Sequence, residues 1–255
     1  MTPIAEWRAD PRWSAIDLLS DVHLHADMPR TFDVWRQHLL DTPADAVLML
    51  GDVFEVWVGD DARLDAFEQQ CCEVLRQATA RRSVAFLPGN RDFLVGDVML
   101  QACGVQRLAD PTLLRAWQHR LLLTHGDALC LADVDYQRFR QEVRGADWQQ
   151  RFLAQPLAER QRQARAMRDA SAAHQAAMVP GQWFDVDGAA ADAWLAAADA
   201  DMMVHGHTHR PAVHTLPSGK PRHVLGDWDL DAAAPRARAL RLTAQGLAVL
   251  DLAAR

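Results

Sequence analysis

Residues 46–55 read AVLMLGDVFE, an apolar run of strand length that ends abruptly in glycine and aspartate. Short continuous apolar runs rich in Leu, Val and Ile are typical of strands buried on both faces. Four more runs of this kind occur along the chain, and each leads into a polar motif: Ile16–Ser20 before DVHLH, Val84–Leu87 before PGNRD, Leu121–Leu123 before THGD, and Met202–Val204 before HGHTHRP. The pattern predicts five buried strands with polar residues at their carboxyl ends.

Stretches with helical spacing separate the first three predicted strands. The apolar residues that define this spacing are Phe32, Trp35, Leu39 and Leu40 in the first stretch and Phe67, Cys71, Val74 and Leu75 in the second. Strands that alternate with amphipathic helices predict an α/β layered fold. In open α/β sheets, ligands bind outside the carboxyl ends of the strands. The five polar motifs are therefore the candidate functional site.

Composition excludes several classes of protein. The chain has 255 residues, a formal net charge of -7, four cysteines and a single lysine, Lys220, which is followed by proline. A P-loop needs a lysine followed by serine or threonine, so a P-loop nucleotide hydrolase is excluded. The negative net charge gives no overall attraction for nucleic acid, and we expect no nucleic-acid partner. The cysteines have no CxxC spacing, which indicates a reduced, cytosolic protein.

The segment from Tyr136 to about Met178 differs from the rest of the chain. Ala, Gln and Arg dominate it, and it contains no run typical of a strand. We interpret residues 1–255 as one domain with a helical insertion, a lid, at about residues 134–180. The first ten residues, MTPIAEWRAD, are not typical of a signal peptide, and no run approaches the about 20 apolar residues that span a bilayer. Any membrane contact is therefore expected from the surface.

The residues at the predicted strand ends share a chemistry. They offer carboxylate, imidazole and amide oxygen groups, the mixed O and N donors that a pair of divalent metals requires. A single DxH or HxH motif is a weak signal, but five clusters in order, each directly after a predicted strand, favour a metal site. The candidate metal ligands are Asp21, His23, Asp52, Asn90, His125, His207 and His209.

This ordered set resembles the calcineurin-like metallophosphoesterase superfamily, from Asp21 to the C-terminal strands. The resemblance implies a four-layer αββα sandwich that binds two metals. One metal would be held by Asp21, His23 and His209, and the other by Asn90, His125 and His207. Asp52 would bridge them.

One position departs from the general pattern of that superfamily. Arg91, in GNRD, stands where many members have a histidine that protonates a leaving alkoxide. A guanidinium is a poor general acid, but it grips phosphate oxygens in a bidentate fork. A leaving phosphate monoester needs its charge neutralised more than it needs a proton. Arg91 therefore favours cleavage of a pyrophosphate bond.

Four longer strings, GDVFEVWVGDD, LPGNRDFLVG, THGDALCLADVDYQ and HGHTHRPAVH, resemble the UDP-2,3-diacylglucosamine pyrophosphatase family of lipid A biosynthesis. The resemblance implies water attack at the α-phosphorus of UDP-2,3-diacylglucosamine, with two Mn2+ per chain, giving UMP and 2,3-diacylglucosamine 1-phosphate (lipid X). Arg91 and Asp52 would be catalytic. The implied substrate-binding residues are Asn90, Arg91, Asp133, Ser171 and His207. The family pattern has an asparagine and a lysine where this chain has Gln175 and Met178.

The same resemblance implies a monomeric, peripheral protein on the cytoplasmic face of the inner membrane. The insertion places Phe139, Trp148, Phe152, Leu153 and Leu157 among Arg138, Arg140, Arg144, Arg151, Arg160, Arg162, Arg165 and Arg168. Aromatic and basic residues together are typical of a helix that lies on an anionic membrane surface, and an apolar slot would shield acyl chains. The alternative is a solvated arginine-rich helix packed on the core.

Two other functions stay open. A metallophosphoesterase acting on a cyclic nucleotide, a dinucleotide or a phosphoprotein would use the same metal ligands, although Arg91 and the arginine-rich insertion weigh against it. A scaffold that keeps the fold as an interaction surface would typically have lost metal ligands. All seven positions are filled here, which weighs against a scaffold.

Overall fold

Two six-stranded sheets form the centre of the structure, a computed structural model that describes residues 4–177 and 184–254, with backbone alone for residues 169–177. Its strands are β1 (Ala5–Arg8), β2 (Ile16–Leu19), β3 (Ala46–Leu50), β4 (Ser83–Leu87), β5 (Gln106–Arg107), β6 (Thr112–Ala116), β7 (His119–Leu123), β8 (Met202–His205), β9 (Val213–Thr215), β10 (Pro221–Val224), β11 (Arg238–Thr243) and β12 (Gly246–Asp251). Its helices are α1 (Pro29–Asp41), α2 (Ala66–Thr79), α3 (Asp97–Cys103), α4 (Val134–Val143), α5 (Ala146–Leu153), α6 (Leu157–Ala177) and α7 (Gly188–Ala197).

The first sheet has the strand order β12-β11-β2-β3-β4-β5, and the second has β1-β6-β7-β8-β10-β9. Strands β2, β3, β4 and β5 run parallel to one another, while β11 is antiparallel to β2. In the second sheet, β7, β8 and β10 are parallel. The five predicted strands are thus β2, β3, β4, β7 and β8, and they lie near the middle of the two sheets.

Three apolar clusters define the layers. Alternate residues of β2 and β3, such as Ile16 and Leu48, pack against Leu121 and Val204 of the second sheet, which places the two sheets face to face. The other face of the first sheet packs on α1, α2 and α3, and that of the second sheet packs on α7. The order of layers is helix, sheet, sheet, helix. This arrangement confirms the predicted αββα sandwich.

Helices α4, α5 and α6 occupy the segment between β7 and β8 that the sequence predicts to be an insertion. The carboxylate of Asp133 caps α4 by accepting a hydrogen bond from the backbone N–H of Tyr136 at 3.0 Å. The interpretation of this segment as a lid stays a prediction, and Met178 lies outside the described residues. Across the described ranges, we find no helix with both the length and the apolar character that crossing a bilayer requires.

Candidate metal centre

The seven predicted ligands follow the carboxyl ends of five strands drawn from both sheets. Asp21 and His23 follow β2, Asp52 follows β3, and Asn90 follows β4 in the first sheet. His125 follows β7 in the second sheet, and His207 and His209 follow β8. Because the two sheets pack face to face, these strand ends meet at one edge of the sandwich. The fold therefore brings residues up to 188 positions apart into contact.

Asp21, His23 and His209 form a first group of donors. The Nε2 atoms of His23 and His209 lie 3.3 Å apart, and Nε2 of His209 lies 3.2 Å from Oδ1 of Asp21. Asp21 is fully buried, and its two carboxylate oxygens also accept the backbone N–H of His207 at 3.0 Å. These contacts fix the carboxylate at the centre of the group.

Asn90, His125 and His207 form a second group beside Asp52. The Oδ1 atom of Asn90 lies 2.8 Å from Nε2 of His125 and 2.8 Å from Nδ1 of His207. Nε2 of His125 is also 3.6 Å from Oδ1 of Asp52. Ligand atoms of Asp21, Asp52 and His125 all lie within 4.8 Å of one another, so the two groups adjoin.

The orientation of the rings tests whether these donors fit a metal. The backbone carbonyl of Leu50 can only accept, so Nδ1 of His125, 3.0 Å away, carries the proton. Nε2 is then the ring nitrogen that faces the Asn90 oxygen at 2.8 Å, where both atoms can bind one metal ion. Metal bonds of about 2.0–2.2 Å place neighbouring ligand atoms about 3–3.5 Å apart. The donor set and its spacing therefore fit divalent metal ions.

The backbone of the site is strained at its ligands. Seven non-glycine residues among those described have φ in the left-handed region, and five of them are predicted ligands: Asp21, His23, Asp52, His207 and His209, with φ from 52° to 65°. This conformation costs about 1–2 kcal/mol for a residue with a side chain. It is retained where the surrounding fold enforces it and is typical of functional sites. At the ends of the strands, the left-handed conformation directs successive polar side chains toward the same site.

The carboxylates make the site favourable for positive charge. Burial alone would lower the pKa of His125, but Asp52, Asp21 and Asp127 outweigh burial and raise that pKa to about 9. The pKa of His207 is lowered to about 4, because burial and the charge of His125 both oppose its protonation. The two imidazoles on Asn90 thus differ strongly in proton affinity.

Asp92 supports the site, although the sequence motifs assign it no role. This aspartate is fully buried, and it accepts hydrogen bonds from the backbone N–H groups of Asp52 at 3.2 Å, Val53 at 2.8 Å and Gly89 at 2.8 Å. Burial, together with the nearby charge of Asp52, raises its pKa to about 6. It therefore holds the loops that carry Asp52 and Asn90 together. A carboxylate directly after the GNR motif is the sequence signal that marks it.

The insertion is tied to the site through Asp127, which is not among the predicted site residues. Oδ2 of this fully buried carboxylate accepts hydrogen bonds from the Tyr136 hydroxyl and from Nε of Arg140, both at 2.7 Å. The Arg144 guanidinium donates to the backbone carbonyl of Gly89 at 2.8 Å. Helix α4 therefore contacts the loops that carry His125 and Asn90.

The side chains expected to form a membrane surface divide into two sets. Phe152 is 4% exposed, and Trp148, stacked on it with 4.7 Å between ring centroids, packs on the core. Arg160 is 3% exposed and binds Asp61 and the backbone carbonyl of Val58. The expectation that these residues face outward is wrong, because Arg160 is buried on the loop after β3, Trp148 packs beside Phe93 after β4, and Phe152 belongs to the core. Phe139 and Leu153 are exposed.

The predicted substrate-binding residues are placed unequally. Arg91 is half-buried next to the metal centre, and its backbone N–H donates to Oδ1 of Asp52 at 2.8 Å. Asp133 is half-buried and caps α4. Ser171 and Gln175 lie on α6, where their side chains fall outside the described part of the chain. Asn90 and His207 are therefore in contact, with Arg91 next to Asn90 in the chain, and substrate binding by all five residues stays a prediction.

Gly89 should not tolerate a side chain. A Cβ at this position would lie 2.2 Å from Oδ1 and 2.3 Å from the backbone nitrogen of Asp52. We expect Gly89→Ala to destabilise the fold by about 1–3 kcal/mol, which would lower the melting temperature by roughly 3–10 °C. Thermal unfolding followed by circular dichroism measures the shift.

Gly188→Ala is the matched control for this substitution. A Cβ on Gly188 would meet its nearest atom, on Pro217, at 3.4 Å, which is an ordinary contact. Its melting temperature should stay near that of the wild type. Equal melting temperatures for Gly89→Ala and the wild type would contradict the close packing of Gly89 on Asp52.

Comparison with known proteins identifies the family to which the chain belongs. The sequence matches the model of the calcineurin-like phosphoesterase family over residues 15–211, a range that contains all seven predicted ligands. The chain belongs to this family.

Its curated relatives are more specific. It is 42% identical over 253 residues to the UDP-2,3-diacylglucosamine hydrolase of Bordetella pertussis, with 95% of each chain covered. It is 39% identical over 246 residues to the protein of the same name from Xanthomonas axonopodis pv. citri, covering 92% of this chain and 98% of that protein. These matches confirm the resemblance found in the four longer strings. Among solved structures, vacuolar protein sorting 29 from Cryptosporidium parvum is similar over 94% of this chain and 91% of its own, with a TM-score of 0.48 and 16% identity.

Proposed function

We propose that this protein hydrolyses the pyrophosphate bond of UDP-2,3-diacylglucosamine, giving UMP and 2,3-diacylglucosamine 1-phosphate (lipid X), a step of lipid A biosynthesis. The observation that carries the proposal is the convergence of seven O and N donors in two adjoining groups. The substrate is supported by the name of the curated relatives, which match this chain over nearly its whole length.

Two Mn2+ ions per chain are the proposed cofactors. Asp21, His23 and His209 would hold one ion, and the second would be held by Asn90, His125 and His207. Asp52 would contact both ions. When bound, such a pair supplies activation of water and neutralisation of charge on the phosphoryl group. A mixed O and N donor set also suits Zn2+, so metal availability decides the choice in the cell.

Arg91 is the proposed charge-neutralising residue. The hydrogen bond from its backbone to Asp52 fixes the residue beside the carboxylate that would contact both ions. Among the described residues, its guanidinium has no hydrogen-bond acceptor, which leaves the five N–H donors for a ligand. A planar fork next to the metal centre matches two oxygens of a phosphate.

The chemistry of the leaving group explains an arginine at this position. Attack of a water oxygen on the α-phosphorus forms one P–O bond and breaks the bond from that phosphorus to the bridging oxygen. The bridging oxygen leaves with the lipid phosphate as a phosphate monoester, and the water protons go to solvent. Because this oxygen is a weak base, Arg91 stabilises its developing charge without transferring a proton.

The insertion is the proposed binding region for the acyl chains and the sugar. Its exposed apolar side chains are Val134, Phe139, Leu153 and Met167. Each methylene removed from water contributes about 0.8 kcal/mol, so these side chains can cover a substantial part of the lipid. Asp133, at the start of α4, and Ser171, on α6, are the proposed contacts to the head group.

The exposed arginines of the insertion are the proposed membrane contact on the cytoplasmic face of the inner membrane. Arg138, Arg151 and Arg165 are exposed. An arginine near an anionic leaflet contributes about 1 kcal/mol, so replacing all three by alanine should weaken binding to phosphatidylglycerol vesicles roughly 100-fold. Cosedimentation with vesicles measures this affinity. Hydrolysis of detergent-solubilised substrate should be unchanged.

The control for this triple variant replaces three exposed arginines far from the site. Arg12 and Arg81 precede β2 and β4, at the edge of the first sheet opposite the metal centre, and Arg8 ends β1. Their joint replacement by alanine should leave vesicle binding near that of the wild type. Equal losses in both triple variants would indicate a general charge effect and contradict a membrane face on the insertion.

A substrate panel tests the proposed function. Metal-stripped protein is supplied with Mn2+ and offered UDP-2,3-diacylglucosamine, a cyclic nucleotide, a dinucleotide and a phosphopeptide. We expect release of UMP from the lipid substrate and little turnover of the other three. Turnover of simple phosphodiesters without release of UMP would favour the alternative metallophosphoesterase activity.

A further inference from the structure

Glu55, in the motif GDVFE after β3, lies against a predicted metal ligand. Its Oε2 atom is 2.7 Å from Nδ1 of His23, and both side chains are mostly buried, with exposed fractions of 13% and 14%. A carboxylate accepts, so Nδ1 of His23 carries a proton and Nε2 is the nitrogen that points toward Asp21 and His209. This is the ring orientation that metal binding through Nε2 requires.

The backbone fixes Glu55 in this position. Pairing between the segments after β2 and β3 continues past the strand ends, since the N–H of His23 donates to the carbonyl of Asp52 at 3.0 Å. Further along, the N–H of Leu24 donates to the carbonyl of Val53 at 2.9 Å, and the N–H of Glu55 donates to the carbonyl of Leu24 at 3.2 Å. The ladder sets Glu55 beside His23 independently of any side-chain contact.

The second oxygen of Glu55 binds the insertion. Nε of Arg168, on α6, is 2.9 Å from Oε1 of Glu55. The two oxygens of one carboxylate are thus divided between a predicted metal ligand and a helix that lies far along the sequence. Arg160, nearer the start of α6, holds the same helix to the loop after β3 through Asp61 and Val58. Helix α6 is therefore anchored next to the Glu55–His23 pair.

We propose that Glu55 is a positioning residue that holds the His23 imidazole in its metal-binding orientation, and that Arg168 makes this orientation depend on the docked position of α6. This inference rests on the proposed metal assignment. Carboxylates that bind the second nitrogen of a ligating histidine typically change metal affinity by 10- to 100-fold. Through this contact, the position of α6 would affect the affinity for the ion held by Asp21, His23 and His209.

Titration of metal-free protein with Mn2+, with free Mn2+ measured by electron paramagnetic resonance, tests the role of Glu55. We expect the wild type to bind two ions and Glu55→Ala to weaken one of them about 10- to 100-fold while leaving the other unchanged. Glu55→Gln should recover most of the lost affinity, because its amide oxygen still accepts from Nδ1 of His23. Arg168→Ala should weaken the same ion about two- to fivefold, as expected for a partly exposed ion pair.

Glu73→Ala is the matched control, since Glu73 pairs with Arg76 at 2.8 Å on the exposed face of α2. Its Mn2+ affinities should equal those of the wild type. If the wild type binds two ions and Glu55→Ala binds both with unchanged affinity, the role of Glu55 is overturned while the metal assignment stands. Failure of the wild type to take up Mn2+ would overturn the metal assignment itself, and with it this role. Recovery by Glu55→Gln distinguishes positioning from misfolding.

Discussion

Replacement of Asp52 by alanine should lower kcat by about 1,000-fold or more, because it removes the carboxylate proposed to contact both metal ions. The residue is 2% exposed, lies 3.6 Å from Nε2 of His125, and belongs to the donor cluster with Asp21. Without its charge, the two ions would repel each other across the site. We therefore expect Asp52→Ala to lose at least one Mn2+ as well as activity, measured by metal analysis and by release of UMP.

Two further variants separate this role from a structural one. Asp52 also accepts the backbone N–H of Arg91, and Asp52→Asn keeps an acceptor there while removing the charge. It should retain the fold and still lose most activity. Asp97→Ala removes a carboxylate that is 72% exposed and pairs with Arg107, and its kcat should stay near the wild-type value. An Asp52→Ala variant with two bound ions and a nearly normal kcat would contradict the proposed contact to both ions.

Replacement of Arg91 by alanine should lower kcat by about 100- to 1,000-fold, the range for removing one group that stabilises transition-state charge. Because only the Arg91 backbone contacts Asp52, the Mn2+ content should equal that of the wild type. Arg91→Lys should recover only part of the rate, since an ammonium supplies charge without the planar fork. Steady-state kinetics and metal analysis on the same preparation measure both quantities.

Arg107→Ala serves as the control for a lost surface arginine. Its guanidinium is 38% exposed and contacts Asp97 and the backbone carbonyl of Val95 rather than a predicted ligand, so kcat should change little. Loss of bound metal in Arg91→Ala would contradict a role directed at the substrate. A normal kcat in Arg91→Ala would contradict the proposal that Arg91 stabilises the leaving phosphate during pyrophosphate cleavage.

The grouping of the predicted ligands at one site could be expected from the sequence because strand ends of a layered α/β fold converge. Each apolar run that ends in a polar motif places that motif at one edge, so the amino-acid pattern is enough to group residues as distant as Asp21 and His209. Their left-handed backbone could not be predicted, since φ at a turn depends on the packing around it. Asp and His only tolerate this conformation better than most residues do.

Which side of each insertion helix packs on the rest of the fold could not be predicted from the sequence. Helix α6 mixes Ala, Gln and Arg without a clear apolar stripe, so nothing marks the face that packs inward. Arg160 is consequently buried on the loop after β3, whereas Arg165 is exposed. Glu55 was missed for a related reason. Its contact with His23 depends on backbone pairing that continues past the ends of β2 and β3, and no residue pattern signals that extension.

Hydrolysis of UDP-2,3-diacylglucosamine in heavy-oxygen water tests the central claim most directly. Metal-stripped protein is supplied with Mn2+ and substrate in this solvent, and mass spectrometry locates the label in the two products. Attack on the α-phosphorus predicts one heavy oxygen in UMP and none in 2,3-diacylglucosamine 1-phosphate. Label in the lipid phosphate would contradict the assigned site of attack, and the absence of Mn2+-dependent turnover would contradict the proposed function as a whole.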